Sequence, residues 1–534
     1  MKLAGLSYPV TGWIENELTV GGSLEKPVLS GDFHAWSGSV MGQLFQNISG
    51  MYSYQDNEIE LKNILGYIYE GVAVVNGTVK QDHLDLAVSL TDINIERMLP
   101  DKGIQGIVSL SGKLNGTVQD PDFTGQAFSR EIIIGGNKVN TASAGIRYKS
   151  HMLSVEDGTF RQKSGRFNWR GSYNTESGHI QGNLQFSHWN IVNIFQLFKL
   201  PGKEVDGEVE GGMRISGTLD DPNVDFKAVI SSGHLGSVPM GEGTIDFSYL
   251  NKALMIRKMY IPVGNGSFAV QGAMNSSGDL DIQAAAKDMD ISWIPSVLGK
   301  EDISVGGQLT ALVQLSGNRN MPKAQTSVEL LQPRYGEVIF DRMLMMATAE
   351  NNVIHIQNSM ISRNAYKATL KGTLPGNVIT GSETDKAVPL DLDVDLEHAD
   401  MNIFALLFKE ITSAEGPIKG HLKIGGSYKN PYLLGGISVN DGMMTLTGMN
   451  EPISSVQLKM DFSGYTADVS GRAQLGGGEI NTQGTASWEQ LSQYDYKGEL
   501  HIHAPSINSA YYKGALDGDF TLDQLSDRMG VSGN

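Results

Sequence analysis

The sequence predicts an all-β protein built on one large antiparallel sheet. Two patterns lead to this prediction: apolar and polar residues alternate through most of the chain, and a Gly-x-x-x-x-Pro turn recurs five times. A third observation is that no segment between the turns resembles the helices of ten or more residues that parallel α/β units require. If each strand with its turn takes roughly 14 residues, the chain supplies about 38 strands, and such a sheet must be extended, curled or closed.

The recurring turn explains where strands end and begin. Its copies end at Pro27, Pro121, Pro222, Pro322 and Pro431, with successive spacings of 94, 101, 100 and 109 residues. This is a period of about a hundred residues, which we interpret as an internal repeat. Proline has no amide donor and suits the first position of a strand, while the glycine supplies backbone freedom where the preceding strand ends. Each copy therefore predicts a strand, a turn and a second strand, and none of this requires a ligand.

Apolar residues precede each turn at alternate positions. They are Val20, Leu114, Ile215, Leu315 and Ile424, seven residues before the prolines, and Leu18, Met213, Val313 and Leu422, nine before. The residue between the two positions is polar in every copy, so these nine side chains share one face of the sheet. We call them the candidate lining residues. They are expected either to line an apolar groove or to form an ordinary sandwich core.

A second recurring feature lies about thirty residues upstream of the later prolines. An Asx residue ends an alternating run and precedes apolar residues at helical spacing, at Asn94, Asn190, Asp290, Asn402 and Asn508. This pattern is typical of a helix N-cap followed by one or two turns of amphipathic helix. The short helix is expected to plug the end of the sheet or to seal a groove.

These Asx residues divide the chain into repeats. The predicted boundaries are 1–93, 94–189, 190–289, 290–401, 402–507 and 508–534, of which the first and last are partial, and together they make one continuous sheet. Both ends cut through a repeat, so we expect the chain to be a section of a longer protein. The first residues contain no signal-peptide core, because Lys2 is followed by only a few apolar residues before Ser7.

The composition excludes several classes of protein. The 64 glycines show no three-residue period, which excludes collagen, and a hydrophobic share of 40% argues against disorder. The longest apolar run, Ile403 to Phe408, is far shorter than the ~18 residues of a transmembrane helix. A formal net charge of −18 disfavours nucleic acid as a partner, and the absence of cysteine excludes thiolate catalysis and disulfides.

The search for catalytic and metal-binding motifs is negative. The chain has no GxGxxG, GxxxxGK[ST], GxSxG or HExxH motif. His501 and His503 share a strand face without an apparent third ligand, and the calcium-loop-like Asp391, Asp393 and Asp395 have a leucine where such a loop needs glycine. We therefore predict no catalytic residue, no cofactor and no metal.

The combination of an Asx-capped apolar turn, glycine-spaced strands and the GxxxxP turn resembles the translocation and assembly module TamB family. This family belongs with AsmA-like proteins among the bacterial bridge-like lipid transfer proteins. The resemblance rests on segments such as EGPIKGHLKIGGSYKNPYLLGGISV and IQGIVSLSGKLNGTVQDPDFTGQAF. Two copies depart from the pattern, since Phe226 and Thr326 stand where the others have glycine, which puts a tight second turn there in doubt. The resemblance implies a β-taco, an elongated and strongly curved sheet with an apolar concave side, from an internal or C-terminal part of such a protein.

The resemblance also implies a function. Members of this family lie in the envelope of diderm bacteria, anchored in the inner membrane by an N-terminal helix, which we expect to lie outside this section of the protein. They are implicated in phospholipid movement to the outer membrane and in outer-membrane protein assembly with a barrel-type partner. An apolar trough suits acyl chains, since burial of a sixteen-carbon chain gains roughly 12 kcal/mol before ordering costs. Two other classes stay open: a surface adhesin or autotransporter-like β-helix, and a polysaccharide-active β-solenoid with paired catalytic carboxylates.

Overall fold

The protein is almost entirely antiparallel β-sheet. A computed structural model describes residues 10–40, 43–98, 100, 103–134, 137–192, 205–218, 220–236, 238–297, 304–336, 338–376, 389–408, 410–427, 430–490, 493–510, 512–525 and 528–533. Strands account for 82% of the chain and helices for 2%, which confirms the all-β prediction. The chain forms two compact units, residues 1–235 with 239–261 and residues 236–238 with 262–534.

The first unit is an antiparallel sheet whose long strands pair in chain order. Its elements are β1 (Val10–Gly22), β2 (Pro27–Val40), β3 (Gln43–Gln55), β4 (Glu58–Ile68), β5 (Gly71–Lys80), β6 (His83–Asn94), α1 (Ile95–Met98), β7 (Ile104–Thr117), β8 (Pro121–Ser129), β9 (Ile132–Ile134), β10 (Asn137–Val139), β11 (Thr141–Lys149), β12 (Met152–Gln162), β13 (Gly165–Asn174), β14 (His179–Asn190), β15 (Val205–Thr218), β16 (Pro222–Leu235), β17 (Val238–Met240), β18 (Gly243–Leu250) and β19 (Ala253–Val263). Of these, β17 and β19 also include residues of the second unit. The short β9 and β10 form a hairpin beside β7, so that β8 pairs directly with β11. Similarly, β16 pairs with β18.

Because each long strand runs antiparallel to the one before it, the connections of the first unit alternate between two rims. One rim, which we call the turn rim, consists of the hairpin turns 23–26, 56–57, 81–82, 118–120, 150–151, 175–178, 220–221 and 251–252. The opposite rim, the helix rim, holds α1, the β9–β10 hairpin and the turns 69–70 and 163–164. Every GxxxxP turn of this unit therefore lies on one rim.

The second unit repeats the same construction. Its remaining elements are β20 (Gly266–Met274), β21 (Asp279–Asp290), α2 (Ile294–Val297), β22 (Val305–Asn318), β23 (Met321–Tyr335), β24 (Val338–Ile339), β25 (Arg342–Glu350), β26 (Val353–Arg363), β27 (Tyr366–Pro375), β28 (Leu390–Asp400), α3 (Ile403–Leu407), β29 (Ile411–Glu415), β30 (Pro417–Gly426), β31 (Pro431–Leu446), β32 (Ile453–Gly464), β33 (Thr466–Leu475), β34 (Gly478–Gln490), β35 (Gln493–Asn508), β36 (Lys513–Leu525) and β37 (Arg528–Gly533). Chain-order pairing is interrupted at β24 and β29, where β23 pairs with β25 and β28 with β30. All strand pairs among the described residues are antiparallel, which argues against the parallel coils of a β-helix or β-solenoid.

The GxxxxP turns have the predicted geometry. Their glycines have φ between 78° and 99°, a region that other residues rarely occupy, and each glycine lies directly opposite the proline of its turn. The proline is the first residue of its strand in four copies, whereas β23 begins one residue earlier, at Met321. The positions of Phe226 and Thr326 are not part of a second turn. They lie in strands, opposite Met213 and Val313.

Short helices follow the Asx residues, directly after Asn94 and Asn402 and after a gap of three residues at Asp290. Asn94, Asn190 and Asp290 end their strands and accept hydrogen bonds from the amides two residues later, at 3.1, 2.8 and 2.8 Å. In the next copy this role belongs to Asp400, which ends β28 and accepts a 2.8 Å bond from the Asn402 amide. Asn402 occupies the N-cap position directly before α3, as predicted, but its side chain makes no capping hydrogen bond, and the division into repeats stays a prediction.

The other helix predictions have mixed outcomes. Among the described residues after Asn508, the chain makes a turn closed by the Ser509 amide and the Tyr512 carbonyl, 2.9 Å apart, and β36 begins at Lys513. A helix therefore does not start there. Most of the segment after Asn190 lies outside the described residues. The α1 helix has no buried residue, so its predicted amphipathic character is not observed.

A hydrogen-bonded carboxylate links two neighbouring turns of the second unit. Asp279 accepts bonds from Asn275 Nδ2 at 2.9 Å, Ser277 Oγ at 2.7 Å and Asn318 Nδ2 at 3.1 Å. These bonds, that of Asn275 foremost, lower the pKa of Asp279 from 3.8 to about 2.

The stabilisation that this lowered pKa gives the folded protein should be complete above about pH 4 and lost as the pH falls through about 2, because the folded-state pKa of Asp279 is the depressed one. Hydrogen exchange of the β21 amides in the protein and in Asp279→Asn should differ most above pH 4 and converge near pH 2. Asp281→Asn is the matched control for loss of one charge, and a difference independent of pH would contradict the prediction.

Candidate functional site: an apolar sheet face

Strand alternation separates the side chains into an apolar and a polar face, as predicted. In β15, Met213 and Ile215 are half-buried, whereas Arg214 between them is exposed. The polar residues at the same position of the other copies are also exposed: Thr19, Lys113, Gln314 and Lys423. The two faces therefore differ in chemistry along every GxxxxP hairpin.

The nine candidate lining residues have two kinds of environment. Seven are half-buried: Leu114, Met213, Ile215, Val313, Leu315, Leu422 and Ile424. Leu18 and Val20 of β1 are 48% and 67% exposed, because among the described residues β1 has a neighbouring strand on one side only. None of the nine is fully buried, in contrast to what a sandwich core requires. Contact with a ligand stays a prediction for all nine.

In the first unit the apolar face continues from strand to strand. Met213 of β15 lies opposite Leu184 of β14 and Phe226 of β16, and Phe226 lies opposite Phe247 of β18. The rings of Phe226 and Phe247 stack with centroids 5.1 Å apart, and those of Phe186 and Phe226 are 5.7 Å apart. The result is a band of contacting apolar side chains that crosses the strands.

Aromatic rings on this face cover pairs of glycines. Gly171 and Gly182 lie opposite each other on β13 and β14, and a methyl group on either would come within 2.7 or 3.0 Å of Trp169 Nε1. The indole therefore lies flat over backbone that has no side chains of its own. Phe123 covers another pair in the same way, Gly112 and Gly125. In both places the ring restores apolar surface that glycine leaves out.

The apolar face of the first unit is packed most tightly toward the helix rim. The buried cluster there consists of Ile132, Val139, Phe186, Trp189, Ile191, Val209, Ala228 and Ile230. Toward the turn rim, Ile180, Ile215 and Val224 on the same face are only half-buried. The sheet thus has a closed side at the helix rim, and apolar surface remains in contact with solvent near the turn rim.

The second unit has a comparable core. Met401 and Ile418, both 0% exposed, lie at the centre of a cluster that includes Phe404 of α3 and Val439 of β31. Ile424 packs against a separate cluster around Trp488, whose indole Nε1 donates a 3.1 Å hydrogen bond to the Pro431 carbonyl. Ile424 is therefore more enclosed by neighbours than its position in the repeat suggests.

One carboxylate is buried beside the second core. Asp400 lies with Oδ2 3.6 Å from Arg363 Nη1. Burial raises the pKa of Asp400, although the amide of Asn402 and the charge of Arg363 act in the opposite direction. The pair fixes the end of β28 where α3 begins.

The polar face of the first unit carries a ladder of ion pairs. Asp225 accepts from Arg214 Nη2 and Arg257 Nη2, both at 2.6 Å, and Arg257 also donates to Asp246 and to Ser248 Oγ. The hydrogen bond from Arg214, followed by that from Arg257, lowers the pKa of Asp225. Arg214, Asp225, Ser248 and Arg257 line a depression of about 1010 Å³. The paired charges give this face no strong net charge, but they keep it polar. An acyl chain would therefore not be stabilised on it.

The histidine pair is part of the polar surface. His501 and His503 of β35 lie opposite Asp519 and Asp517 of β36, with Nδ1 to carboxylate oxygen distances of 2.5 and 3.0 Å. The bond to Asp519 raises the pKa of His501. Within the described ranges, no group of three or more histidine, aspartate or glutamate side chains is arranged to hold a metal ion.

The aspartates that resemble a calcium loop lie in a strand. Asp391, Asp393 and Asp395 are all in β28. Asp391 lies 3.3 Å from Lys423 Nζ, and Asp393 lies 3.6 Å from His421 Nε2, both on the neighbouring β30. Asp391 and Asp393 thus have basic partners on the neighbouring strand, as expected for a strand face.

Sequence reasoning missed the aromatic part of the apolar face. Trp169, Phe186, Phe226 and Phe247 lie away from the five GxxxxP turns or were noticed only as a departure from glycine. The alternation pattern does indicate their face, since each is separated by an even number of positions from half-buried aliphatic residues of its sheet face. A position that recurs in every repeat does not reveal residues that occur once.

Comparison with known proteins gives an informative likeness. No family model matches the chain. Over 447 residues, 80% of its length, it is 20% identical to the translocation and assembly module subunit TamB of Haemophilus influenzae. The chain is similar to TamB. It spans about a third of that relative, since the match covers 32% of the TamB sequence. None of the helices in the described residues is both long and apolar enough to cross a membrane.

Proposed function

We propose that the chain is a section of a TamB-like protein of the bacterial envelope, and that the apolar face of its sheet forms a groove conducting phospholipids between the inner and outer membranes. The observation that supports this most directly is the band around Met213 and Phe226. It is continuous across β14 to β18, yet it is packed most tightly at the helix rim. Acyl chains gain about 0.8 kcal/mol for each CH₂ that such a surface removes from water.

The same band favours movement over tight binding. Neighbouring strands bring similar apolar side chains into the face at intervals of about 4.8 Å, so an acyl chain meets nearly the same surface at each step. A surface of this kind has no deep local minimum, and most of the gain from burial is offset by ordering costs. The proposed function is transport without a chemical step, and we assign no catalytic residue to it.

The wider setting is also part of the proposal. The similarity to a translocation and assembly module subunit supports a role in translocation or assembly of outer-membrane proteins alongside, or in place of, lipid movement. We propose that the longer protein is periplasmic and is anchored in the inner membrane at its N-terminus. We also propose that it works with an outer-membrane barrel-assembly partner.

Photo-crosslinking at Ile215 tests the groove. A crosslinking side chain at this half-buried position should capture phospholipid from vesicles at least about tenfold more often than one at Arg214, which projects from the other face of the same strand. Mass spectrometry of the crosslinked chain identifies the captured molecule. Crosslinks only to protein, or equal lipid yields at the two positions, would refute the groove.

A further inference from the structure

The charges of the first unit are distributed unequally between its two rims. The turn-rim connections carry seven acids and two lysines: Glu25, Lys26, Asp56, Asp82, Asp120, Glu176, Asp220, Asp221 and Lys252. Among the described residues, the helix-rim connections carry four acids and four basic residues: Glu70, Glu96, Arg97, Arg130, Glu131, Lys138, Lys163 and Glu242. The turn rim is strongly negative, whereas the helix rim is close to neutral.

The acids of the turn rim are exposed and are not neutralised by lysine or arginine among the residues that the structure describes. Asp82 lies 3.0 Å from His83 Nδ1, and Asp120 accepts bonds from the amide and hydroxyl of Ser150, which is uncharged. On the helix rim, by contrast, Glu70 lies 3.1 Å from Arg97 Nε. The negative field of the turn rim is thus available to a ligand.

The turn rim is also the side where the apolar face is in contact with solvent. The buried cluster around Val209 and Ile230 occupies the helix side, and Ile215 and Val224 near the turn rim are half-buried. A lipid whose acyl chains lie on this face must keep its headgroup in water, because burial of an unpaired charge is costly. The position that satisfies both requirements is an acyl chain on the face and a headgroup at the turn rim.

We propose that phospholipids enter the first unit across the turn rim, and that its carboxylates favour a zwitterionic, amine-bearing headgroup over an anionic one. This inference rests on the proposed function. Successive turns of this rim are separated by two strands, about 10 Å, which is close to the screening length at physiological salt. A headgroup therefore interacts with two or three turns at once. The ammonium group is attracted to the carboxylates, while a headgroup with a net negative charge is repelled.

The expected preference is modest and depends on salt. One carboxylate about 8 Å away in water changes the relative binding of two headgroups that differ by one charge by roughly twofold. Two or three carboxylates then give a ratio of about three to eight at low ionic strength. At ~1 M salt, where the screening length falls to about 3 Å, the ratio should approach one.

Competitive capture measures this ratio directly. The full chain is incubated with vesicles holding equal amounts of dioleoyl phosphatidylethanolamine and dioleoyl phosphatidylglycerol, which have the same acyl chains, and the captured lipids are counted by mass spectrometry. The turn-rim variant combines Asp56→Asn, Asp82→Asn and Asp220→Asn. The matched helix-rim variant combines Glu96→Gln, Glu131→Gln and Glu242→Gln.

The unaltered chain and the helix-rim variant should capture about three to eight times more of the ethanolamine lipid, and the turn-rim variant, which keeps Glu25, Asp120, Glu176 and Asp221, should lower that ratio at least about twofold. A ratio near one in the unaltered chain, a preference for the glycerol lipid, or equal effects of the two variants would overturn the headgroup inference and leave the groove intact. Failure to capture either lipid would overturn the proposed function together with the inference.

Discussion

Ile418→Ala is expected to lower the free energy of unfolding of the second unit by about 3 kcal/mol. Ile418 is 0% exposed and packs with Met401, Ala399 and Val439, so its truncation removes buried apolar atoms and leaves a cavity that a close-packed sheet and helix cannot fill. Denaturant unfolding of the chain, combined with hydrogen exchange of the β28, β30 and β31 amides, measures the loss in this region.

Ile424→Ala is the matched control for that measurement. Both isoleucines are in β30 and on the same face, but Ile424 is half-buried, so we expect a loss of about 1 to 1.5 kcal/mol. Equal losses for the two variants would mean that Ile424 is core, which is the sandwich interpretation of the candidate lining residues.

Ile215→Asp is expected to reduce lipid capture by the chain at least tenfold while leaving the first unit folded. Ile215 is half-buried and lies opposite Gly182, so a carboxylate there stays in contact with water in the empty protein. An acyl chain on this face would have to dehydrate that charge, which costs several kcal/mol, whereas a tenfold change in binding needs only about 1.4. Lipid counted after incubation with vesicles, together with the thermal unfolding curve, gives both quantities.

Ile230→Asp supplies the contrast on the neighbouring strand. Ile230 of β16 is 1% exposed within the cluster at the helix rim, so a carboxylate there is buried without a partner and should unfold the unit. If Ile215→Asp unfolds the unit as severely as Ile230→Asp, the apolar face is a closed core and the groove is wrong.

The local parts of the fold were predictable because they depend on near neighbours. The positive φ of the GxxxxP glycines follows from residues within one hairpin, as does the alternation around Arg214. The hydrogen bond that Asp400, rather than Asn402, accepts before α3 was not predictable in this way, because both residues precede apolar side chains at plausible spacing. Only the pairing of β28 with β30 decides which of them ends the strand.

The sequence predicts which residues lie on the apolar face, but not that this face is buried at the helix rim and open to solvent near the turn rim. The face that each residue occupies follows from the alternation along its strand. The contrast between buried Ile230 and half-buried Ile215 depends on contacts between residues far apart in the chain, such as those that Ile132 and Val139 of the β9–β10 hairpin make with the helix-rim cluster. The cover that Trp169 provides over Gly171 and Gly182 likewise involves two strands and one ring, and no repeated motif marks it.

Because strands pair in chain order, such a sheet can change in length only by an even number of strands if its turns are to stay on the same rim. Each long strand reverses direction, so adding or deleting two successive strands returns the chain to the same rim with the same face inward. Removal of β12 and β13 together would preserve the rim on which the first unit's later GxxxxP turn, the one that ends at Pro222, lies, whereas removal of β12 alone would move it to the opposite rim. A sheet of this construction can therefore lengthen or shorten by whole hairpins, and its span can be adjusted without redesign of the remaining strands.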